Sequence, residues 1–318
     1  MDYKDIVRVN KNVKEKLITK KDDLLVCARN GSARLIGKNA ILHEADANQT
    51  FGAFMMVFRS DKNHFVHQLL NTRRYTSQVS ENLGARINQI TSSDLSSFEF
   101  FFPTENSEMN KIAALLDLLD ERIVTQSKII NKLQSLIKGI RNDVFGKLRK
   151  DIGLNAKVGD VLSYEQPQPY IVEDTEYTAG GTPVLTANKA FVLGYTSETD
   201  GIYDKGDCII FDDFTLDCKY VDFPFKVKSS AIKILTAKNK ELLRYTFEFL
   251  KYLDLSTDEH KRHYIAETQN QEFILPTTQI VRTIAHAFST LSSRMQTIVK
   301  QRDMLELQKQ YLLRQMFI

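Results

Sequence analysis

The sequence is poor in cysteine and lacks long apolar runs. Its 318 residues include three cysteines, Cys27, Cys208 and Cys218, and no two of them form a C-x-x-C pair. This spacing argues against a disulfide framework and favours an intracellular, reducing compartment. No apolar run approaches the length of a membrane span, and no signal peptide opens the chain. We therefore expect a cytoplasmic protein with no membrane partner.

Proline is also scarce, and its placement excludes one class of enzyme. The chain has six prolines, none adjacent to another. Adenine methyltransferases need an Asn/Asp-Pro-Pro-aromatic loop for the flipped base, so the sequence excludes that class. Local signatures of Ser-His-Asp or Cys-His catalysis are missing as well. We expect no catalytic residues in this chain.

The charge balance restricts any nucleic-acid surface to local patches. A net charge of +3 is too small to predict nucleic-acid binding by itself. Basic residues nevertheless cluster at several places along the chain. Taken singly, such a cluster is more often a solvated face than a binding site.

One segment resembles a phosphate-binding loop. Gly31 and Gly37-Lys38 enclose five residues instead of four, and Asn39 stands where a magnesium-binding Ser or Thr is required. This departure excludes an ATP site. An exposed turn between strands, with small residues that allow a partner to approach the backbone, is the better interpretation.

Metal-binding patterns are incomplete. His64-x-x-His67 and His260-x-x-His263 each have two histidines at a suitable spacing but no third ligand nearby. We expect structural roles for them and no metal site. The acidic segment 211–219 lacks the second carboxylate motif of a two-metal site, so its Asp and Thr side chains are expected to cap turns or contact base edges.

Two stretches, 112–145 and 284–317, repeat each other with apolar residues at four-three spacing. Such seams predict long helices packed as a coiled coil. In an antiparallel pair with full overlap, Gln126 lies opposite Arg302, and this polar layer would fix the register. Lys309 falls opposite Leu119 and is expected to extend its ammonium outward. The alternative is two surface helices that each pack on their own domain.

A segment of short β-type runs precedes each helix, ending in Pro103 or Pro276. Strands are predicted at 23–27, 54–58, 98–102, 207–211, 231–235 and 272–275, with helical patches at 64–75 and 240–253. The fold class is therefore α+β, with two mixed α/β domains separated by two long helices that form an antiparallel coiled coil. The predicted boundaries are 1–103, 104–150, 151–276 and 277–318, with a linker at 146–153. The first domain is expected to be truncated at its start, because residues 157–177 have no counterpart in it.

These features resemble the DNA-specificity (S) subunits of Type I restriction-modification systems. Residues 102–123, including KIAALLDLLDERI, look like the central conserved region of that family. Residues 205–215 (KGDCIIFDDFT) and 219–231 look like the core of one of its target-recognition domains. The resemblance covers nearly the whole chain.

The resemblance implies a non-catalytic subunit that reads a bipartite target in double-stranded DNA. Each domain would recognise one half, and the helices would set the unread gap. Two modification (methyltransferase) subunits and two ATP-driven restriction subunits would be its partners. S-adenosylmethionine, ATP and magnesium would then reside in those partners, with no cofactor in this chain.

Loop position and side-chain type identify candidate DNA contacts, because Arg, Lys, Asn and Gln make base or phosphate contacts and Ser or Thr can assist. In the first domain these are Arg29, Asn30, Ser32, Arg34, Lys38, Arg73, Arg74 and Arg86. In the second they are Asn188, Lys189, Asp212, Thr215, Lys219, Lys226, Lys228, Ser229, Lys261 and Arg262. The rival hypothesis is a coiled-coil scaffold or dimerisation protein whose domains bind proteins. A lone nuclease or methylase is a third hypothesis.

Overall fold

The structure is a computed structural model that describes residues 7–83, 88–187, 190–257 and 261–317. It divides into two compact units, residues 1–128 with 299–318, and residues 129–298. Both units mix helix with strand, as expected for the α+β class. In chain order the elements are β1 (Leu24–Cys27), β2 (Asn39–Ile41), β3 (Met55–Phe58), α1 (Asn63–Leu69), α2 (Arg73–Leu83), α3 (Ser92–Ser97), α4 (Asn106–Asp151), β4 (Ala156–Lys157), α5 (Val158–Val161), β5 (Leu162–Glu165), β6 (Thr182–Leu185), β7 (Val192–Thr196), β8 (Cys208–Asp212), β9 (Cys218–Val221), β10 (Lys226–Val227), β11 (Ile232–Ala237), α6 (Glu241–Leu253), β12 (Glu272–Phe273) and α7 (Thr278–Met316).

The first unit contains an antiparallel sheet in the order β2-β1-β3. Leu24 and Val26 of β1 are fully buried, since alternate residues of a strand point to the same face. They pack with apolar residues of α1 and α2 in one core. The predicted helix 64–75 is divided, because the chain leaves the helix after Leu69 and Thr72 caps the break with its hydroxyl on the Leu69 carbonyl at 2.7 Å.

The strand predicted at 98–102 is wrong. These residues form no strand in the structure, and the side chains of Phe98 and Phe100 pack on Tyr75 instead. The ring centroids of Phe98 and Phe100 lie 5.9 and 6.4 Å from that of Tyr75. The apolar character of this run therefore reflects aromatic packing, which a period of two cannot distinguish from strand pairing.

The second unit is built around the four-stranded sheet β5-β11-β8-β9, whose neighbours are antiparallel. Every residue of β8 is buried, because the strand has a core on each face. Ile209 and Phe211 belong to one core, and Cys208 and Ile210 to the other. A second sheet has the order β10-β6-β7, and β12 pairs with β4. The strands predicted near 207–211, 231–235 and 272–275 and the helix near 240–253 are confirmed as β8, β11, β12 and α6.

The two long helices begin shortly after Pro103 and Pro276, as predicted. The predicted linker 146–153 is wrong, because α4 continues to Asp151. Glycine at position 146 lowers the stability of the helix by about 1 kcal/mol relative to alanine, which is too little to end a long helix. Leu148 packs on the core of the second unit, and the chain turns at Gly153, where φ is +79°.

In the first unit, α4 and α7 pack antiparallel along the predicted seam. Leu116 and Leu119 share a buried cluster with Leu313, and Leu305 packs against it. Lys309 differs from its prediction: it is buried and its ammonium donates to Asp120 instead of extending into solvent.

The Gln126–Arg302 layer stays a prediction. Both side chains are half-buried, but Arg302 bonds to Asp303 at 2.5 Å and lies 3.8 Å from Glu306 on its own helix. A polar contact between Lys309 and Asp120 joins the two helices of this unit.

In the second unit, Ile137 of α4 and Ile284 and Phe288 of α7 share one core with α6. Arg141 of α4 donates to the buried carboxylate of Glu248 of α6 at 2.7 and 2.9 Å. Arg244 of α6 donates to the same carboxylate and to the carbonyl of Phe288. Within the described ranges, no helix combines the length and apolar character needed to cross a membrane.

Candidate nucleic-acid interface

The loop after β1 presents the first set of predicted DNA contacts. Arg29 is exposed, and its guanidinium carbon lies 5.5 Å from the centroid of the Phe54 ring. The Arg29 amide donates to the Phe54 carbonyl at 3.0 Å, which fixes the backbone under the side chain. Asn30 accepts the amide N–H of Ser32 at 2.9 Å, so its side-chain oxygen shapes the turn.

The same loop continues into a cleft of about 480 Å³ lined by Arg34, Lys38 and polar residues of α2. Gly37 has a φ of +79°, and a Cβ there would lie 3.0 Å from the Tyr75 hydroxyl, so this position requires glycine. The buried Tyr75 hydroxyl donates to the Gly37 carbonyl at 2.8 Å, and burial raises the pKa of this phenol. The bond places the exposed Arg34 and Lys38 on either side of a fixed turn.

Arg73 and Arg74 lie at the start of α2, beside α7. The guanidinium of Arg74 is 4.6 Å from the Phe101 ring centroid and donates to the Glu99 carbonyl at 2.8 Å. Both arginines line a small cleft with Gln310 and Arg314 of α7. The structure therefore brings Arg314, which the sequence analysis did not identify, into this basic group.

In the second unit, Lys228, Ser229 and Arg262 lie on exposed loop positions. The Lys228 ammonium is 5.7 Å from the Tyr177 ring centroid. A Cβ at Gly194 would lie 2.5 Å from Tyr177, so glycine at this position of β7 leaves room for the tyrosine ring.

Arg262 is held between three groups. Its guanidinium carbon is 5.7 Å from the Phe214 ring centroid, and Nη1 donates to the Ser230 carbonyl at 3.2 Å. Nη1 also lies 3.7 Å from the Asp213 carboxylate. The side chain remains 48 % exposed, so a partner can reach it.

Three further candidates of the second unit are partly engaged, two lysines with carboxylates and Thr215 with a backbone amide. Lys219 lies 3.5 Å from Asp217, and Lys261 lies 2.9 Å from Glu267. Thr215 is exposed and its hydroxyl accepts the Asp217 amide at 3.5 Å. Exposed ion pairs of this kind contribute little to stability, so these lysines can exchange a carboxylate for a phosphate at low cost.

Comparison with known proteins relates the chain to one family. No family model matches. A segment of 126 residues is 45 % identical to the Type I restriction enzyme EcoR124I/EcoR124II specificity subunit of Escherichia coli, covering 37 % of this chain and 31 % of that protein. The chain thus matches about a third of the length of this curated relative.

The fold is that of a solved S subunit. The crystal structure of a Type I restriction-modification S subunit from M. genitalium aligns over 97 % of this chain and 92 % of its own, with a TM-score of 0.66 and 16 % identity. A structure on complex assembly and conformational transition of the type I R-M system aligns with a TM-score of 0.46 and 13 % identity, over 93 % of this chain and 81 % of its own. The chain is thus similar to a Type I specificity subunit in sequence over that segment and to an S subunit in fold. The resemblance noted from the residues is confirmed.

Two predicted DNA contacts have internal roles instead. Asp212 is buried, and its carboxylate accepts the amides of Phe214 and Thr215 at 2.9 and 3.0 Å. Lys226 is 3 % exposed; its ammonium pairs with Glu198 at 2.5 Å and donates to the Asp200 carbonyl at 2.7 Å. Neither side chain has a free surface for a base or phosphate, so these two predictions are wrong.

Three other predicted contacts, Arg86, Asn188 and Lys189, lie outside the residues that the structure describes.

The aromatic partners of the cations were missed by sequence reasoning. Phe54, Phe101, Phe214 and Tyr177 each support a predicted basic side chain. A guanidinium over an aromatic face is stabilised and loses less freedom on binding. In the sequence, the available signal would have been an exposed aromatic residue near an Arg or Lys. Each of these pairs, however, is formed by residues that are brought together only by the tertiary fold.

The histidines that resembled metal ligands take part in hydrogen bonds. His64 contacts Asp117 at 2.5 Å, and the Nδ1–H of His67 donates to Asn39 at 2.6 Å. Burial, and then the nearby Lys309 ammonium, lower the pKa of His67. His260 lies outside the described residues, and within them no group of three or more His, Cys, Asp or Glu side chains is arranged to hold a metal.

Proposed function

We propose that this chain is a non-catalytic, sequence-specific DNA-binding subunit of a Type I restriction-modification complex. Each unit reads one half of a bipartite target, and the long helices set the unread gap. The observation that carries the proposal is the set of exposed cations fixed over aromatic rings in both units, on a fold shared with an S subunit.

The chemistry of these side chains supports DNA as the ligand. Arginine presents a planar fork that matches guanine or a phosphate, and lysine serves as a mobile point charge for phosphates. Neutralising several phosphates would make the affinity fall steeply as salt rises. Local placement of the cations makes this possible even though the net charge of the whole chain is small.

The long helices of the first unit offer a surface for a protein partner. Leu118, Met304, Leu307 and Tyr311 are between 49 and 71 % exposed, and the last three lie at helical spacing on α7. Exposed apolar patches of this kind mark protein interfaces. In our proposal a modification subunit binds here, and two modification and two restriction subunits complete the complex, supplying S-adenosylmethionine, ATP and magnesium.

Co-expression with a Type I modification (methyltransferase) subunit tests this function. Sequencing of native DNA should reveal methylated adenines in a split motif with a constant gap. Methylation at a continuous site, or none, would contradict the proposal. The rival protein-binding scaffold predicts no salt-dependent binding of mixed-sequence duplex by the purified chain.

A further inference from the structure

The surroundings of Arg262 differ from those of an ordinary surface arginine. Its guanidinium contacts the Phe214 ring, the Ser230 carbonyl and, at 3.7 Å, the Asp213 carboxylate. The last distance is too long for a hydrogen bond. The side chain is thus oriented by three groups, while nearly half of its surface is open to solvent.

The base of this arrangement is rigid. Asp213 is 1 % exposed, and its Oδ1 accepts the amides of His263 and Tyr264 at 3.1 and 2.7 Å. These bonds tie the backbone that follows Arg262 to the end of β8. A ligand-contacting side chain on such a support binds without a large ordering cost.

The charges beneath Arg262 do not balance. The Oδ2 atom of Asp213 lies 3.6 Å from the buried Lys233 ammonium and 3.7 Å from Arg262, so one carboxylate faces two cations. Lys233 is 1 % exposed and bonds to Gln166 at 2.7 Å, so it cannot meet a ligand. The uncompensated positive charge is therefore presented at Arg262.

We propose that Arg262 is a base-reading residue of the second unit and that its ligand is guanine. This inference rests on the proposed DNA-binding function. A preoriented guanidinium can donate two hydrogen bonds to O6 and N7 of guanine in the major groove, the commonest specific contact of arginine. An arginine fork fits a phosphate as well as guanine, but a phosphate can also be bound by a point charge such as that of the exposed Lys228, whereas the orientation built around Arg262 favours a directional, bidentate contact.

The test compares the methylated motifs of cells that express the modification subunit with wild-type chain, Arg262→Ala or Arg262→Lys. Both variants should lose preference for one G:C pair, roughly 10- to 100-fold, in one half of the motif. The other half and the gap should not change. Arg262→Lys keeps the positive charge but loses the planar fork. If this variant also loses the preference for the G:C pair, Arg262 contacts the base and not only a phosphate. The control is Arg282→Lys, which changes an exposed arginine of α7 that pairs with Glu241 of α6, and it should leave the motif intact.

An unchanged motif in both Arg262 variants would overturn the inference. So would a uniform fall in methylation at every site without a change of sequence preference, which is the result for a phosphate contact. If Arg262→Ala lowers the melting temperature of the chain, the outcome is judged on Arg262→Lys. Absence of any split motif with the wild-type chain would instead contradict the proposed function itself.

Discussion

The ammonium of Lys309 on α7 donates to both carboxylate oxygens of Asp120 on α4, at 2.6 and 2.7 Å. The buried Gln68 of α1 also donates to Asp120 at 2.9 Å and to Asp117 at 2.8 Å. Through Gln68, this network joins both long helices to α1 of the first unit. A buried polar contact of this type favours one helix register over others that would leave a charge unpaired.

Replacing Lys309 by methionine should destabilise the first unit by about 1–3 kcal/mol, because Asp120 then loses its cation while partly buried. Urea unfolding of the intact chain measures the effect. Lys300→Met, an exposed position on the same helix, should change stability by less than about 0.5 kcal/mol. Adding Asp120→Leu to Lys309→Met should recover most of the loss, and a strictly additive double variant would contradict the pairing.

Local patterns in the sequence predicted the long helices, their proline-marked starts and three of the nine described strands of the second unit, β8, β11 and β12. These features depend on periodicity within ten to forty residues. The role of Lys309 and the burial of Lys226 were missed, because their carboxylate partners come from distant segments. Likewise, the cation–aromatic pairs exist only after the loops are brought together. Residue type selected the candidates for DNA contact, and burial, which residue type does not reveal, argues against Asp212 and Lys226.

Asp23 should make the first unit sensitive to acid. Burial alone would raise the pKa of this carboxyl, but hydrogen bonds from Arg59 at 2.6 Å and from the Lys20 amide at 2.7 Å outweigh it and hold the pKa below the usual 3.8. A carboxyl with a lowered folded-state pKa stabilises the fold above its unfolded pKa, and this contribution is lost as the pH falls through the folded value.

We therefore expect Asp23→Asn to cost about 1–3 kcal/mol at pH 6 and progressively less below about pH 4. Urea midpoints measured from pH 6 to pH 2 provide the comparison. Asp61→Asn, at an exposed position, serves as the reference variant. A difference between wild type and Asp23→Asn that stays constant across this range would refute the assignment.

Cys27 should report on DNA binding at the first unit. Burial raises the pKa of Cys208 and Cys218 to about 12, so these thiols should react slowly in the folded chain. Cys27 is partly exposed and lies two residues before Arg29. One thiol per chain should therefore react rapidly with an alkylating reagent, and cognate duplex should slow that reaction. Equal rates for all three thiols, or no protection by DNA, would contradict this placement.

Lys226 and Lys228 are neighbours along the chain but should behave oppositely when replaced by methionine. Lys226→Met leaves the carboxylate of Glu198 without its buried partner, so it should lower the stability of the second unit by about 2–4 kcal/mol. Lys228 is exposed beside Tyr177, so Lys228→Met should leave stability nearly unchanged.

In our proposal Lys228 neutralises a phosphate, and its loss should weaken DNA binding across all sequences and reduce the slope of log affinity against log salt by about 1. Thermal melting and binding titrations at several salt concentrations distinguish the two roles. If Lys226→Met folds normally and loses the salt dependence instead, the burial of Lys226 does not describe the DNA-binding state.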